Sequence, residues 1–219
     1  MADVVQRWRI VYRRDAGARD LVQRAEQEAW EAAVLAADLP VARDGRGRPR
    51  LSFGVPLPAG LTALAEPLEL PLTRTLRRHE VRGALEPVVP EHHALVDVHD
   101  VWMGTPALAG RVVAVDYVVT LEPRPDERVL AGACARLLGQ PRIDRVRQRS
   151  DRTVAYDLRP FLLDLRPEAG GVRMRLSADP SAGVGRPDEV VAALADVTGL
   201  PLAMAAGVRE RVVVAGEPA

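Results

Sequence analysis

Two periodicities alternate along this chain, and they do so twice in the same order. Between Arg7 and Arg13, Trp8, Ile10 and Tyr12 alternate with Arg9, Val11 and Arg13, the period-two pattern of a strand with one partly polar face. From about Arg19 to Asp38 the spacing turns helical. Leu21, Ala25, Ala29, Ala32 and Ala36 make a small-residue stripe suited to lying close on a sheet, and Pro40 ends it. Leu51 to Phe53 and Ala65 to Leu72 read as strands, the second with Leu68, Leu70 and Leu72 facing the core. Arg77 to Leu85 reads as a short helix closed by Pro87 and Pro90, and His93 to Trp102 as a strand. The order β-α-β-β-α-β is the split unit in which two helices cover one face of an antiparallel sheet.

The second half runs through the same order. Val112 to Leu121 reads as a strand. A helix from Asp126 to Leu138 follows, with an aspartate N-cap, Gly139 just past its end and a stripe of Val129, Leu130, Ala133 and Leu137. Arg142 to Gln148 and Thr153 to Leu158 read as strands joined by a Ser150-Asp151 turn. Leu162 to Leu165 extends or restarts the second of them, then makes a hairpin with Val172, Met174 and Leu176. Pro187 opens a helix to about Val197, Asp188 and Glu189 suit its positive end, Gly199 stops it, and Val208 to Val214 closes the sheet. The expectation is an α+β protein of two ferredoxin-like βαββαβ units in tandem, each an antiparallel sheet with helices on one face. They span 1–109 and 110–219 and repeat a pattern, not residues.

Composition narrows the chemistry. Thirty basic residues balance thirty acidic ones, which argues against a strongly electrostatic, non-specific nucleic-acid binder while leaving room for a local basic stripe. Every basic residue is arginine, so a Schiff-base lysine and a P-loop lysine are both excluded. A single cysteine, Cys134, excludes disulfides within the chain, cysteine-built zinc sites and a protein-bound iron–sulfur cluster. Nothing resembles a signal peptide or a membrane-spanning run, so a cytoplasmic protein with no membrane partner is expected.

The densest irregular stretch runs from Gly47 to Gly60. Arg46, Arg48 and Arg50 precede or enter it, Leu51 to Phe53 follow, and Gly54, Pro56, Pro58 and Gly60 fix a path no helix can take. Arginine forks beside a Gly-bounded turn can hold a phosphate or carboxylate. Further along, Arg142, Arg145, Arg147, Arg149, Arg152 and Arg159 crowd together. On a strand Arg145, Arg147 and Arg149 share a face, which reads as a phosphate-tracking stripe or as a solvated, salt-bridged strand; no aromatic interleaves it as in sheets that stack bases. Gly183 to Asp188, with Arg186, feeds a helix N-terminus that can serve as an anion site. Asp97 and His99 lie two apart on one face of a strand after His92 and His93, but spacing places no third ligand, so no metal site is assigned. Ser52, Ser150, Ser177 and Ser181 lack a nucleophile elbow, and no catalytic residue is assigned.

Several segments together resemble the radical-SAM-linked family, small proteins encoded beside or fused to a radical SAM protein. They are Arg50-Leu51-Ser52-Phe53-Gly54, Pro56-Leu57-Pro58-Ala59-Gly60, Ala65-Glu66, Tyr156-Asp157-Leu158-Arg159-Pro160-Phe161 and Arg186-Pro187-Asp188-Glu189-Val190. The likeness runs over nearly the whole chain. Members of that family carry a histidine at the start of the first helix, where this chain reads Ala18-Arg19-Asp20-Leu21, and another before Leu-Ser-Phe, where it reads Arg46-Gly47-Arg48-Pro49-Arg50. The resemblance implies a non-catalytic accessory protein whose radical SAM partner carries the iron–sulfur cluster and S-adenosylmethionine. The gene neighbourhood of the family associates it with an RNA or ribosomal target. The alternative is an RNA-processing endonuclease of the tandem ferredoxin-like, CRISPR repeat-cleaving kind, drawing on His79, His92, His93 or His99; a third is a small-molecule binder using Arg46 to Arg50.

Overall fold

In the computed structural model, which describes residues 3–149, 152–179 and 183–217, the first alternating run is strand β1 (Gln6–Arg14). It lies between β3 (Thr62–Leu72) and β4 (His93–Asp100), antiparallel to both, and the short β2 (Ser52–Phe53) pairs with β3. The order across this sheet is therefore β4-β1-β3-β2. Trp8 pairs with Leu70, and Ile10 with both Leu68 and Val98, so the middle of one face is apolar across three strands. Helix α1 (Gln23–Ala36) buries Trp30, Ala33 and Val34 against that face, and α2 (Arg78–Leu85) buries Val81 and Leu85. Burial of this kind contributes roughly 25 cal/mol per Å2 of apolar surface removed from water, which decides the side on which the helices lie.

Two details of α1 differ from the sequence reading. Residues 16–18 form a separate 3-10 turn, its Gly17 N–H donating to the Asp15 carboxylate, and the α-helix starts only at Gln23. The buried stripe is Glu26, Trp30, Ala33 and Val34, while Ala32 and Ala36 face solvent. The large Trp30 ring gains far more from burial than any alanine, and it turns the helix so that Glu26 comes inward with it.

The elements after β4 are β5 (Val112–Glu122), α3 (Glu127–Gly139), β6 (Asp144–Arg149), β7 (Arg152–Asp157), β8 (Leu162–Glu168), β9 (Gly171–Asp179), β10 (Gly183–Val184), α4 (Pro187–Thr198) and β11 (Ala203–Val214). β9 runs antiparallel to β5 and β8, and β11 flanks β5 on its other side, giving the order β8-β9-β5-β11. Helix α3 packs against α4 and β8. Its buried face is Leu130, Ala133, Cys134 and Leu137; Val129, expected within, is exposed, because the Asp126 side chain accepts from the amides of Arg128 and Val129 and fixes where the first turn faces. β6 and β7 stand apart as a two-stranded sheet rather than joining the larger one; the Ser150-Asp151 turn lies outside the described residues. Gly199 adopts φ 69° and ends α4 as its sequence position implies.

The chain is thus a mixed α+β protein with mostly antiparallel sheet, gathered into two units, Met1–Val112 with Val214–Pro218, and Val113–Val213. No helix among the described residues is long and apolar enough to cross a membrane. One close approach in the second unit is unforgiving. A Cβ added at Gly171 would sit 1.9 Å from the Val119 carbonyl oxygen of the neighbouring strand. Because backbone cannot swing aside as a side chain can, Gly171→Ala is expected to cost about 2–3 kcal/mol of unfolding free energy by urea titration. A loss below about 0.5 kcal/mol, the size of an ordinary surface change, would contradict this packing.

Candidate functional site

The arginine-rich turn is built around an anion of its own. Val41 bridges to Leu72 and Arg43 to Pro49, so residues 43–49 fold back on themselves, and Gly47 takes φ 80° to close the turn. The Asp44 carboxylate accepts from the amides of Arg46 (2.8 Å) and Arg48 (3.0 Å), and the Arg48 side chain pairs with it at 3.3 Å. These amides hold the Asp44 carboxyl below the usual range. The expected cradle at Arg46, Arg48 and Arg50 is therefore divided. Arg48 serves Asp44, the Arg46 guanidinium lies exposed without a partner among the described residues, and Arg50 lines a cavity.

That cavity is a cleft of about 290 Å3 in the first unit, lined by Val4, Arg7, Arg50, Leu51, Ser52, Glu69, Pro71, Met103 and Ala107. Alternation along the chain puts Arg50 and Ser52 on one side, and Ser52 is in register with Glu69 across β2 and β3. Among the described residues nothing pairs with the Arg50 guanidinium or the Ser52 hydroxyl. Behind them lies a buried ionic cluster on the sheet face away from the helices. Glu69, 1% exposed, accepts from Arg9 at 2.8 Å and from the Leu108 amide at 3.1 Å, with Arg7 at 3.6 Å. Arg9 also reaches Glu217 at 3.1 Å, which in turn meets Arg111 at 3.3 Å. Arg7 donates to the carbonyls of Trp102 and Thr105, tying down the segment that carries Met103, and its buried Nε has no hydrogen-bond partner among the described residues.

Charge decides what such a cleft can take. Arg7, Arg9 and Arg111 face two carboxylates, Glu69 and Glu217, which leaves one positive charge over, and Arg50 adds a second. In partly buried surroundings that surplus is screened far less than on an open surface. Glu69 is engaged on both oxygens, so it fixes arginines and is not placed to carry a proton to or from a ligand.

Three arginines of the predicted stripe, Arg142, Arg145 and Arg147, are paired with acids of their own unit. Arg145 meets Asp196 at 2.5 Å; Arg147 forms a two-pronged pair with Glu189 at 2.8 Å and lies 4.9 Å above the Tyr156 ring. Burial, reinforced by Glu189, pushes the Tyr156 phenol up to about 12. These contacts fasten β6 and β7 to α4. Arg142 pairs with Asp144, Arg159 donates to the Leu162 carbonyl at 2.7 Å, and Arg186 pairs with Asp188 at 3.2 Å; the side chains of Arg149 and Arg152 lie outside the described residues. Asp157 accepts from the amides of Ile143 and Arg159, so Asp157, Arg159 and Pro160 build a corner. The Gly183-Val184 segment pairs with β9 as a strand, and the Gly185 amide donates to Ser177, which removes an amide from the supposed anion nest before Pro187.

The histidines do not converge. His79 is exposed on α2. His93 is buried on the helix side of the sheet against Tyr12 and Trp30, whereas His99 pairs with Arg9 across the opposite face and bonds Asp97 at 2.9 Å. Arg78 meets the same Asp97 at 2.6 Å. Among the described residues no group of three or more His, Cys, Asp or Glu side chains is placed to share a metal ion. Ser150 and Ser181 lie outside the described residues. Cys134 is buried, and burial pushes its thiol up to about 11, the opposite of an activated nucleophile.

Sequence reasoning missed Arg7, Glu69 and Met103 as lining residues, and missed a second buried polar cluster. In that cluster Glu26 accepts from Tyr12 and Arg14, each at 2.8 Å, with His93 Nε2 at 3.6 Å. The available signal for the first set was Glu69 itself, a carboxylate in the middle of a Leu-alternating strand opposite an arginine-bearing one. Among the residues of the recurring motifs, Leu51 and Phe53 pack on the core, Gly54 donates to the Pro67 carbonyl, Gly60 takes φ 82° and donates to Arg19, and Glu66 is buried. Of these motifs, Arg50, Leu51 and Ser52 line the cleft.

Compared with known protein families, residues 7–187 match a family described as an uncharacterized protein conserved in bacteria. No curated protein matches the chain.

Proposed function

The chain belongs to that bacterial family, and we propose that it is a non-catalytic accessory protein of a radical SAM enzyme, presenting an RNA or ribosomal substrate through the cleft of its first unit. The observation that carries this reading is the contrast between arginines. Arg145, Arg147 and Arg186 are paired with Asp196, Glu189 and Asp188, while among the described residues nothing pairs with Arg50 or the Ser52 hydroxyl at a cleft with surplus positive charge. The cleft offers donors and an apolar wall, and its one carboxylate is already held by Arg9 and the Leu108 amide. That is equipment for holding a ligand. The radical SAM link itself rests on the sequence resemblance, whose Arg50-Leu51-Ser52 segment supplies one side of the cleft.

Each unit also supports the tandem ferredoxin-like reading. The orders β4-β1-β3-β2 and β8-β9-β5-β11 are those expected when a βαββαβ chain folds with two crossovers, the β6–β7 hairpin and β10 being additions to the second. Co-purification of the chain with the radical SAM protein of the same genome, under anaerobic conditions, tests the docking claim. Retention of the partner on the immobilised chain is the expected result, and a partner that passes through unretained would overturn it.

A further inference from the structure

The cleft specifies more than an anion. We propose that it is a site for a nucleoside 5′-monophosphate, either free or as the phosphorylated 5′ end of a single-stranded RNA. This rests on the cleft being the presenting site, and it is independent of any docking to a radical SAM protein.

Three observations lead there. The first is charge: the cluster around Glu69 carries one positive charge over, and Arg50 adds another. A phosphate monoester carries about −1.5 to −2 at neutral pH, which matches that surplus better than a carboxylate or an internal phosphodiester with a single charge. The second is donor chemistry. The Arg50 fork and the Ser52 hydroxyl line the same cleft, and no described residue uses either. A guanidinium engages two phosphate oxygens at once, and a hydroxyl can donate to a third. The third is the remaining wall. Val4, Leu51, Pro71, Met103 and Ala107 are apolar, so an inorganic anion alone would leave them wet. A thioether such as that of Met103 makes favourable contacts with an aromatic ring. The volume of about 290 Å3 lies just under the usual span of ligand sites, roughly 300–1,000 Å3, which suits one nucleotide and not a run of them.

Titration calorimetry on the purified full chain tests this with five probes: AMP, adenosine, inorganic phosphate, and a short oligoadenylate with either a 5′-phosphate or a 5′-hydroxyl. Phosphorylated probes are expected to bind roughly 10–100-fold more tightly than their unphosphorylated counterparts, the value of a charge-assisted hydrogen-bonded pair, and more tightly than inorganic phosphate. Arg50→Ala, at an exposed position that leaves the fold intact by circular dichroism, should lose most of that difference, and Arg50→Lys should restore part of it. AMP binding more tightly than the phosphorylated oligonucleotide identifies a free nucleotide as the source; the reverse order identifies an RNA end. The proposal is overturned if adenosine and the 5′-hydroxyl strand bind as well as the phosphorylated probes, if Arg50→Ala leaves affinity unchanged, if inorganic phosphate binds as tightly as AMP, or if no phosphorylated probe binds. Such a failure leaves the docking reading standing, because retention of the radical SAM protein is scored without nucleotide.

Discussion

Glu69→Ala is expected to lower the unfolding free energy by about 3–5 kcal/mol, the cost of stripping one partner from a buried ion pair. The carboxylate is 1% exposed and Arg9 is 2% exposed, so removal leaves a cation with no access to water and an orphaned Leu108 amide. Glu217, the other carboxylate on Arg9, is one-third exposed and already shared with Arg111. Glu69→Gln should lose less, since the amide oxygen can still accept from Leu108. Urea titration of the three proteins checks both the size and the order. A loss below about 1 kcal/mol for the alanine variant, the value of an exposed pair, would show that the cluster is solvated and that the charge argument for the cleft fails with it.

The second large effect lies at Glu26, where the consequence is a dependence on pH. Burial pushes the carboxyl up, but His93 and Tyr12, together with the charge of Arg14, outweigh it and hold the group below its usual range. The unfolded chain, with an ordinary glutamate near 4.3, therefore takes up the proton first as the solution is acidified. The unfolded state binds more protons in that window, so stability rises with pH there. Glu26 contributes fully above the unfolded value, and the contribution is lost as pH falls through the lower folded value. Glu26→Ala, which leaves the fully buried Arg14 without its carboxylate, should cost about 3–5 kcal/mol at neutral pH and should flatten the fall of the urea midpoint between about pH 5 and pH 3. Equal slopes for wild type and variant would contradict the assignment.

The two clusters also show where sequence reading stops. Trp8, Ile10 and Tyr12, and Leu68, Leu70 and Leu72, were legible because strand alternation is local, and both sets are in the core. Asp126 and Gly199 were legible as caps for the same reason. The stripe on α1 was not, because alanines at helical spacing are compatible with several faces and only the partner of Trp30 decides between them. Nor was the fate of the arginines. Arg145, Arg147 and Arg50 look alike in sequence, yet Asp196 and Glu189, some forty to fifty residues from the first two, pair with those, and no acid among the described residues pairs with Arg50. Asp44 was in plain view beside Arg46 and Arg48, but its role as the turn's own anion depends on backbone amides whose direction only the fold sets.

Sedimentation velocity of the purified chain mixed anaerobically with a radical SAM protein of the same genome, the proposed partner, decides whether the two dock. A faster-moving complex is expected, formed equally by wild type and by Arg50→Ala if docking does not use the cleft. Two species that sediment independently at micromolar concentrations would contradict it.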